Sequence, residues 1–268
     1  MKSPPRPRAA APESVARLPA GRVVFITGTD TGAGKTILTA LLLLHWRSRG
    51  VRALAIKPFA TGNLADARLL VRCQAGSLAL KRVTPFLFRV PVAPLVAAGM
   101  ERRRVSLGDV VSAVREIQAE GDTLLVEGCG GLLTPLGAGY TARELIRELN
   151  CPTIVAARNR LGGLNQALLV IEALRAVGRT PAGIVLLGCA RTDASTATNA
   201  RTLRELVAPV PVFTLPYLGP RAGVFGNLVA AAAKHCKLLA RVSAACSLRA
   251  ASRPRQGAAA RAACASSP

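Results

Sequence analysis

Apolar positions fall into two rhythms along the chain. In one, short apolar-rich runs stand between turn residues: Val23 to Thr27, Val51 to Lys57, Asp122 to Glu127, Pro152 to Ala156, Gly183 to Leu187 and Val212 to Leu215. Runs of this kind suit strands buried on both faces of a parallel sheet. In the other, apolar residues recur at helical spacing. This predicts helices from Ile37 onward and over Asn63–Gly76, Leu107–Ala119, Thr141–Leu149, Gln166–Val177, Thr196–Val207 and Gly223–Ala240, with Ser106 as an N-cap. The stretch 85–98, broken by Pro85, Pro91 and Pro94, reads as irregular, and 159–165 reads as a loop. Strands and helices alternate from Val23 to Leu215, which predicts an α/β fold with a doubly wound, mostly parallel sheet flanked by helices. The expected domain is 21–240. Residues 1–20, rich in Pro and Arg, and 241–268, rich in Ala and Arg, are expected to be unfolded, dispensable extensions.

The first strand carries the most informative turn. Arg22 to Thr36 reads RVVFITGTDTGAGKT, and apolar helix formers follow. Strand, glycine loop, Lys-Thr and helix in that order make a phosphate-binding loop of P-loop NTPase type. Glycines let successive backbone N–H groups converge on an anion, and the helix N-terminus adds free donors. Lys35 reaches the β- and γ-phosphates in such a loop, and the Thr36 hydroxyl can bind Mg²⁺. The first glycine, Gly28, stands one residue earlier than the common G-x-x-x-x-G-K-[ST] spacing requires, since that place holds Thr29.

Two further strand ends carry chemistry. The second strand ends in KPFATG, Lys57 to Gly62, where Pro58 bars continuation and leaves Lys57 at the edge at which open α/β sheets bind ligands. Asp66 follows in the first turn of the next helix, where a carboxylate also favours the helix dipole. The strand TLLVE ends in Glu127-Gly128-Cys129-Gly130-Gly131. An acid closing an apolar strand before glycines has the form of a Walker-B-like Mg²⁺ position facing the loop.

Composition narrows the alternatives. Half of the 268 residues are hydrophobic but aromatics are scarce, so Leu, Val and Ala must fill the core. No apolar run approaches the roughly 18 residues of a membrane span. The net charge is +22, and much of it lies at the ends: five Lys/Arg against one Glu in 1–22, and seven Lys/Arg with no acid in 234–268. A basic surface attracts anions. No aromatic-interleaved patch supports stacking on bases, so nucleic acid is not an expected partner. The seven cysteines form no C-x-x-C pair, as expected of reduced thiols in a cytoplasmic protein. His45 and His235 lie on helical patterns away from these motifs, and no nucleophile–His–Asp set appears.

Taken together, GTDTGAGKT (Gly28–Thr36), KPFATG, Asp66-Ala67, VEGCGGLLTPL (Val126–Leu136), RLGGLNQALL (Arg160–Leu169) and LPYL (Leu215–Leu218) resemble the dethiobiotin synthetase family in kind and order. The likeness runs over roughly residues 22–230, and it accounts for the early first glycine. It implies a biotin-pathway ligase using ATP and Mg²⁺ to close a cyclic urea on 7,8-diaminononanoate with CO₂. In this likeness the catalytic residues are Lys35, Lys57 and Thr31. Nucleotide contacts fall to Gly28, Thr29, Asp30, Thr31, Gly32, Ala33, Gly34, Lys35, Thr36, Glu127, Gly128, Gly130, Leu187 and Pro216. Thr36, Asp66 and Glu127 hold the metal. Thr61, Gly130 and Gly131 line the substrate, and Gly162 and Asn165 bind its carboxylate from the partner of a homodimer.

The chain departs from the pattern in two places. Leu95 follows Pro94 where the family often has His, and Leu187 stands where it often has an Asn contacting the base, so nucleotides other than ATP are candidates. The main alternative is a ParA/MinD-like ATPase acting on DNA or membrane-associated partners. Such proteins carry a lysine early in the loop, at the place that here holds Asp30.

Overall fold

The computed structural model describes residues 21–248. β1 (Arg22–Gly28) leads through the glycine loop into α1 (Lys35–Arg47), then β2 (Ala53–Ile56), the short β3 (Phe59–Thr61), α2 (Ala65–Cys73) and α3 (Leu80–Val83). Next come β4 (Phe86–Phe88), α4 (Pro94–Met100), α5 (Leu107–Gln118), β5 (Thr123–Glu127), β6 (Pro135–Gly137), β7 (Tyr140–Thr141) and α6 (Ala142–Leu149). The second half is β8 (Thr153–Arg158), α7 (Gly163–Arg175), β9 (Gly183–Leu187), α8 (Ser195–Val207), β10 (Val212–Leu215), α9 (Phe225–Lys234) and α10 (Cys236–Leu248).

Six strands form one parallel sheet in the order β10-β9-β8-β1-β5-β2. The doubly wound parallel fold expected from the sequence is therefore the observed one. β1 lies at the centre, buried along its whole length, with β5 on one side and β8 on the other. The chain runs from β1 to the β2 edge and back to β5, then crosses β1 to β8 on its other side, so the strand order reverses about β1 and a crevice opens beyond its carboxyl end, the usual ligand position in such sheets.

The core forms because each strand buries both faces while each helix buries one. Leu38, Leu41, Leu42 and Trp46 of α1 are all fully buried, and burying one such side chain contributes about 1.5–3 kcal/mol. α9 and α10 pack on α1, and the Trp46 indole N–H donates to Ser243 Oγ at 2.7 Å. Ser106 caps α5 as expected: its hydroxyl accepts from the Asp109 N–H at 3.1 Å, and the Asp109 carboxylate accepts from the Ser106 N–H at 2.8 Å.

The structure corrects four local expectations. The stretch 85–98 is not irregular throughout. β4 pairs in parallel with β3, and Pro94 opens α4, where its missing N–H costs nothing. Asn165 is not in a loop, because α7 starts at Gly163 and takes it into the first helical turn. The last helical pattern is two helices with His235 between them. Finally, residues 241–248, expected in the tail, continue α10. Val242 and Cys246 are fully buried there, so the Ala-rich composition hides an apolar face. The remaining expectations for 1–20 and 249–268 lie outside the described residues.

Candidate active site

Four chain segments meet at the carboxyl edge of the sheet. The loop after β1 supplies Lys35 and Thr36, the end of β2 supplies Lys57, the start of α2 supplies Asp66, and the end of β5 supplies Glu127. Parallel pairing sets their level, with Ile26 opposite Glu127 and Ile56 opposite Val126. Lys57 sits one residue past β2, and its N–H donates to the Val83 carbonyl at 2.8 Å.

Glu127 is the hub. Its Oε1 accepts from Thr36 Oγ1 at 2.7 Å and from Lys57 Nζ at 2.9 Å. Lys57 Nζ also donates to Asp66 Oδ2. Glu127 is 1% exposed, Lys35 6% and Lys57 9%, so these charges act with little screening by water. The second Glu127 oxygen, Oε2, is buried without a hydrogen-bond partner. Burial alone would push the Lys57 ammonium down, but the charges of Glu127 and Asp66, with their hydrogen bonds, prevail and hold it above its usual range. Lys35 goes the other way. Burial lowers it, and Glu127 only partly offsets this against the repulsion from Lys57.

The loop is braced from within. Lys35 Nζ donates to the Asp30 carbonyl at 2.9 Å, and the Asp30 carboxylate accepts from the Thr31 N–H at 2.6 Å. Gly34 ends the loop at φ 93°, and a Cβ there would sit 2.6 Å from Leu187 Cδ2. Only glycine fits that position without displacing the β9 side chain.

The other expected residues are distributed unevenly. Gly28 closes β1, Thr29 donates its N–H to the Ala156 carbonyl at 3.0 Å, and Ala33 is buried under the loop. Thr31 and Gly32 are exposed at its crown. Gly128 donates to the Ile26 carbonyl at 2.9 Å, and a Cβ on Gly131 would lie 3.1 Å from the Thr29 carbonyl oxygen, so the 128–131 turn abuts the phosphate loop. Thr61 ends β3, half-buried. Leu187 and Pro216 are neighbours at the ends of β9 and β10, Leu187 buried and Pro216 exposed. Gly162 and Asn165 stand apart: both are exposed at the start of α7, and no hydrogen bond among the described residues joins them to the loop.

Sequence reasoning missed one residue. Arg158 ends β8, the other neighbour of β1, and its Nε donates to the Gly32 carbonyl at 2.8 Å. A basic residue directly after an apolar run was the available signal.

Magnesium fits the oxygen ligands. No group of three or more His, Cys, Asp or Glu gathers among the described residues. Mg²⁺ needs no such cage, since one or two carboxylates, water and substrate phosphates suffice. Thr36, Asp66 and Glu127 supply hard oxygens of that kind, and the unpartnered buried Oε2 of Glu127 is the strongest local reason to place a cation there.

A glycine loop between β1 and α1, with an acid closing the adjacent strand at the switch point, defines a P-loop nucleotide-binding protein. Residues 22–219 match the family described as AAA domain. The chain belongs to the ATP-dependent dethiobiotin synthetases. It is 38% identical over 218 residues to that enzyme of Anaeromyxobacter dehalogenans, covering 78% of this chain and 98% of the relative. It is 33% identical over 197 residues to the Bacillus subtilis enzyme, covering 71% and 85%. Membership makes the chain an ATP-dependent ligase. Among solved structures, it is similar to the cell-division ATPase MinD of Pyrococcus furiosus, with TM-score 0.53 and 17% identity over 84% of this chain and 98% of that one. MinD of Pyrococcus horikoshii, complexed with Mg-ADP, aligns with TM-score 0.54 and 18% identity over 83% and 94%. At such identities the likeness is one of fold.

Proposed function

We propose that this chain carboxylates 7,8-diaminononanoate with CO₂ and closes the cyclic urea of dethiobiotin, consuming ATP. The observation that carries the reading is that Glu127, a buried acid beside the phosphate loop, accepts from both Thr36 of the loop helix and the buried Lys57, with the buried Lys35 held on the loop's own Asp30 carbonyl. One substrate amine takes up CO₂ as a carbamate. A carbamate oxygen attacks the γ-phosphorus, and ADP leaves. The second amine then attacks the carbonyl carbon of the carbamic–phosphoric anhydride, loses a proton and expels phosphate, and the ring is closed.

Phosphoryl transfer asks the protein mainly for position and charge. Lys35 and Lys57 approach from two strand ends and would flank the phosphoryl group and the carbamate. Thr31, at the loop crown, would hydrogen-bond phosphate. Bound Mg²⁺ would neutralise phosphate charge, held by Thr36, Asp66 and Glu127. Thr61, Gly130 and Gly131 would line the diamine. The carboxylate end would reach Gly162 and Asn165 of a second copy, which makes the enzyme a homodimer in this reading. Their exposure at the start of α7 supports that arrangement. Leu187 offers no polar group to a base, which supports use of nucleotides besides ATP. A cytoplasmic location belongs to the same reading, and no helix among the described residues is long and apolar enough to cross a membrane.

The test is phosphate release from purified protein with diaminononanoate, bicarbonate, Mg²⁺ and a panel of nucleoside triphosphates. Release that depends on the diamine, with dethiobiotin detected by mass, is expected. Release stimulated by DNA and indifferent to the diamine would return the chain to the ParA/MinD-like reading.

A further inference from the structure

We propose that Arg158 is a third cation of the phosphate site, binding the phosphate chain of the nucleotide from the β8 side of the loop. The inference rests on the reading of the loop as an ATP site. Lys57, at the end of β2, is engaged by Glu127 and Asp66, and Lys35 Nζ is held by the Asp30 carbonyl. Arg158 comes from the opposite side of β1. β8 pairs with β1 so that Gly28 faces Ala156, and Arg158 projects two residues beyond that pair, level with the loop.

Its placement is specific. Nε donates to the Gly32 carbonyl at 2.8 Å, and Nη2 lies 3.2 Å from where a Gly32 Cβ would stand. Gly32 also has φ 73°, so the crown carries no side chain between the guanidinium and the loop backbone. No carboxylate among the described residues pairs with Arg158, and its two terminal nitrogens make no hydrogen bond there. A guanidinium suits this division of labour. One edge is anchored on a carbonyl while the remaining N–H groups, fixed in the same plane, face outward for phosphate oxygens. Lysine has no second edge to anchor. An arginine supplied by the same chain is a known way of stabilising charge in phosphoryl transfer.

The bland role for Arg158 is a brace on the Gly32 carbonyl. Two variants separate the roles. Arg158→Gln keeps an N–H donor for Gly32 and loses the charge, whereas Arg158→Met loses both. Binding of ATP, ADP and adenosine to the full-length protein is measured by calorimetry with Mg²⁺, together with Tm. We expect both variants to lose about tenfold or more in ATP and ADP affinity, the worth of one charge-assisted hydrogen bond. Adenosine affinity and Tm should stay at the wild-type values. Wild-type ATP affinity in Arg158→Gln would show a brace and overturn the proposal. An equal loss for adenosine would show a distorted loop and overturn it too. A wild-type protein that bound no ATP would remove the nucleotide reading beneath it, and this proposal with it.

Discussion

Lys57 and Glu127 lie 2.9 Å apart, the glutamate side chain wholly buried and the lysine side chain 11% exposed. Neither could be held there alone, because an unpaired buried charge costs several kcal/mol. Stability and chemistry are thus coupled at one contact.

Replacing Lys57 by Met should therefore cost both. Leaving Glu127 with Thr36 as its one remaining partner should destabilise the fold by about 3–5 kcal/mol. Turnover should fall by about a thousandfold, the scale seen when an electrostatic stabiliser is removed. Urea titration and the phosphate-release assay report the two separately. Normal turnover by Lys57→Ala would show that the phosphoryl site has been misplaced.

Lys35→Ala should behave differently. Lys35 is bound to the protein through the Asp30 carbonyl. Its loss should leave the unfolding free energy from urea titration within about 1 kcal/mol of wild type, the worth of one hydrogen bond, and still reduce turnover by about a hundredfold or more.

Gly34→Ala should abolish ATP binding in calorimetry. The new Cβ meets Leu187 at 2.6 Å, and the residue stands at φ 93°. Pairing it with Leu187→Ala removes the clash but not the backbone strain, which costs about 1–2 kcal/mol. The double variant should recover stability only in part.

His45 gives a pH dependence away from the site. It is 2% exposed, its Nδ1 accepts from Arg49 Nη1 at 2.9 Å, and its Nε2 is buried without a partner. Burial, with Arg49 adding to it, lowers its pKa from 6.5 to about 4. The unfolded chain then takes up a proton at a pH where the folded chain refuses it. Stability should fall as pH drops below 6.5 and level off near 4, by at most about 1.4 kcal/mol per unit. His45→Gln should flatten that slope in urea midpoints measured across the window.

Truncation separates the tail from the helix. A chain ending at residue 248 should keep its activity. One ending at 240 removes the Ser243 partner of Trp46 and uncovers the face of α1 beneath α10. It should lose about 2–5 kcal/mol, the usual cost of opening a core contact, with a red shift of Trp46 fluorescence.

What was legible in the sequence follows from how local each signal is. The β1 run, the glycines and Lys35-Thr36 are contiguous, so strand, loop and helix could be read together. Glu127 is visible because the Glu-Gly-Cys-Gly-Gly run that closes its strand is unusual, although an acid at a strand end is common. Its role as the shared acceptor of Thr36 and Lys57 is not visible, since that depends on β5 lying between β1 and β2 in the sheet. Arg158 was missed for the same reason: only the pairing of β8 with β1 carries it to Gly32. In residues 241–248 the Ala- and Arg-rich composition masks the spacing, although Leu239, Val242 and Cys246 recur at helical intervals on the buried side.

β3 has a role out of proportion to its length. It joins Lys57 to Asp66, and its pairing with β4 fixes the course of the backbone between them. Ammonium and carboxylate therefore sit on one short piece of chain. Any shift of that piece would move both charges together relative to Glu127, so the spacing of ammonium and carboxylate is kept while their reach to the β5 acid changes.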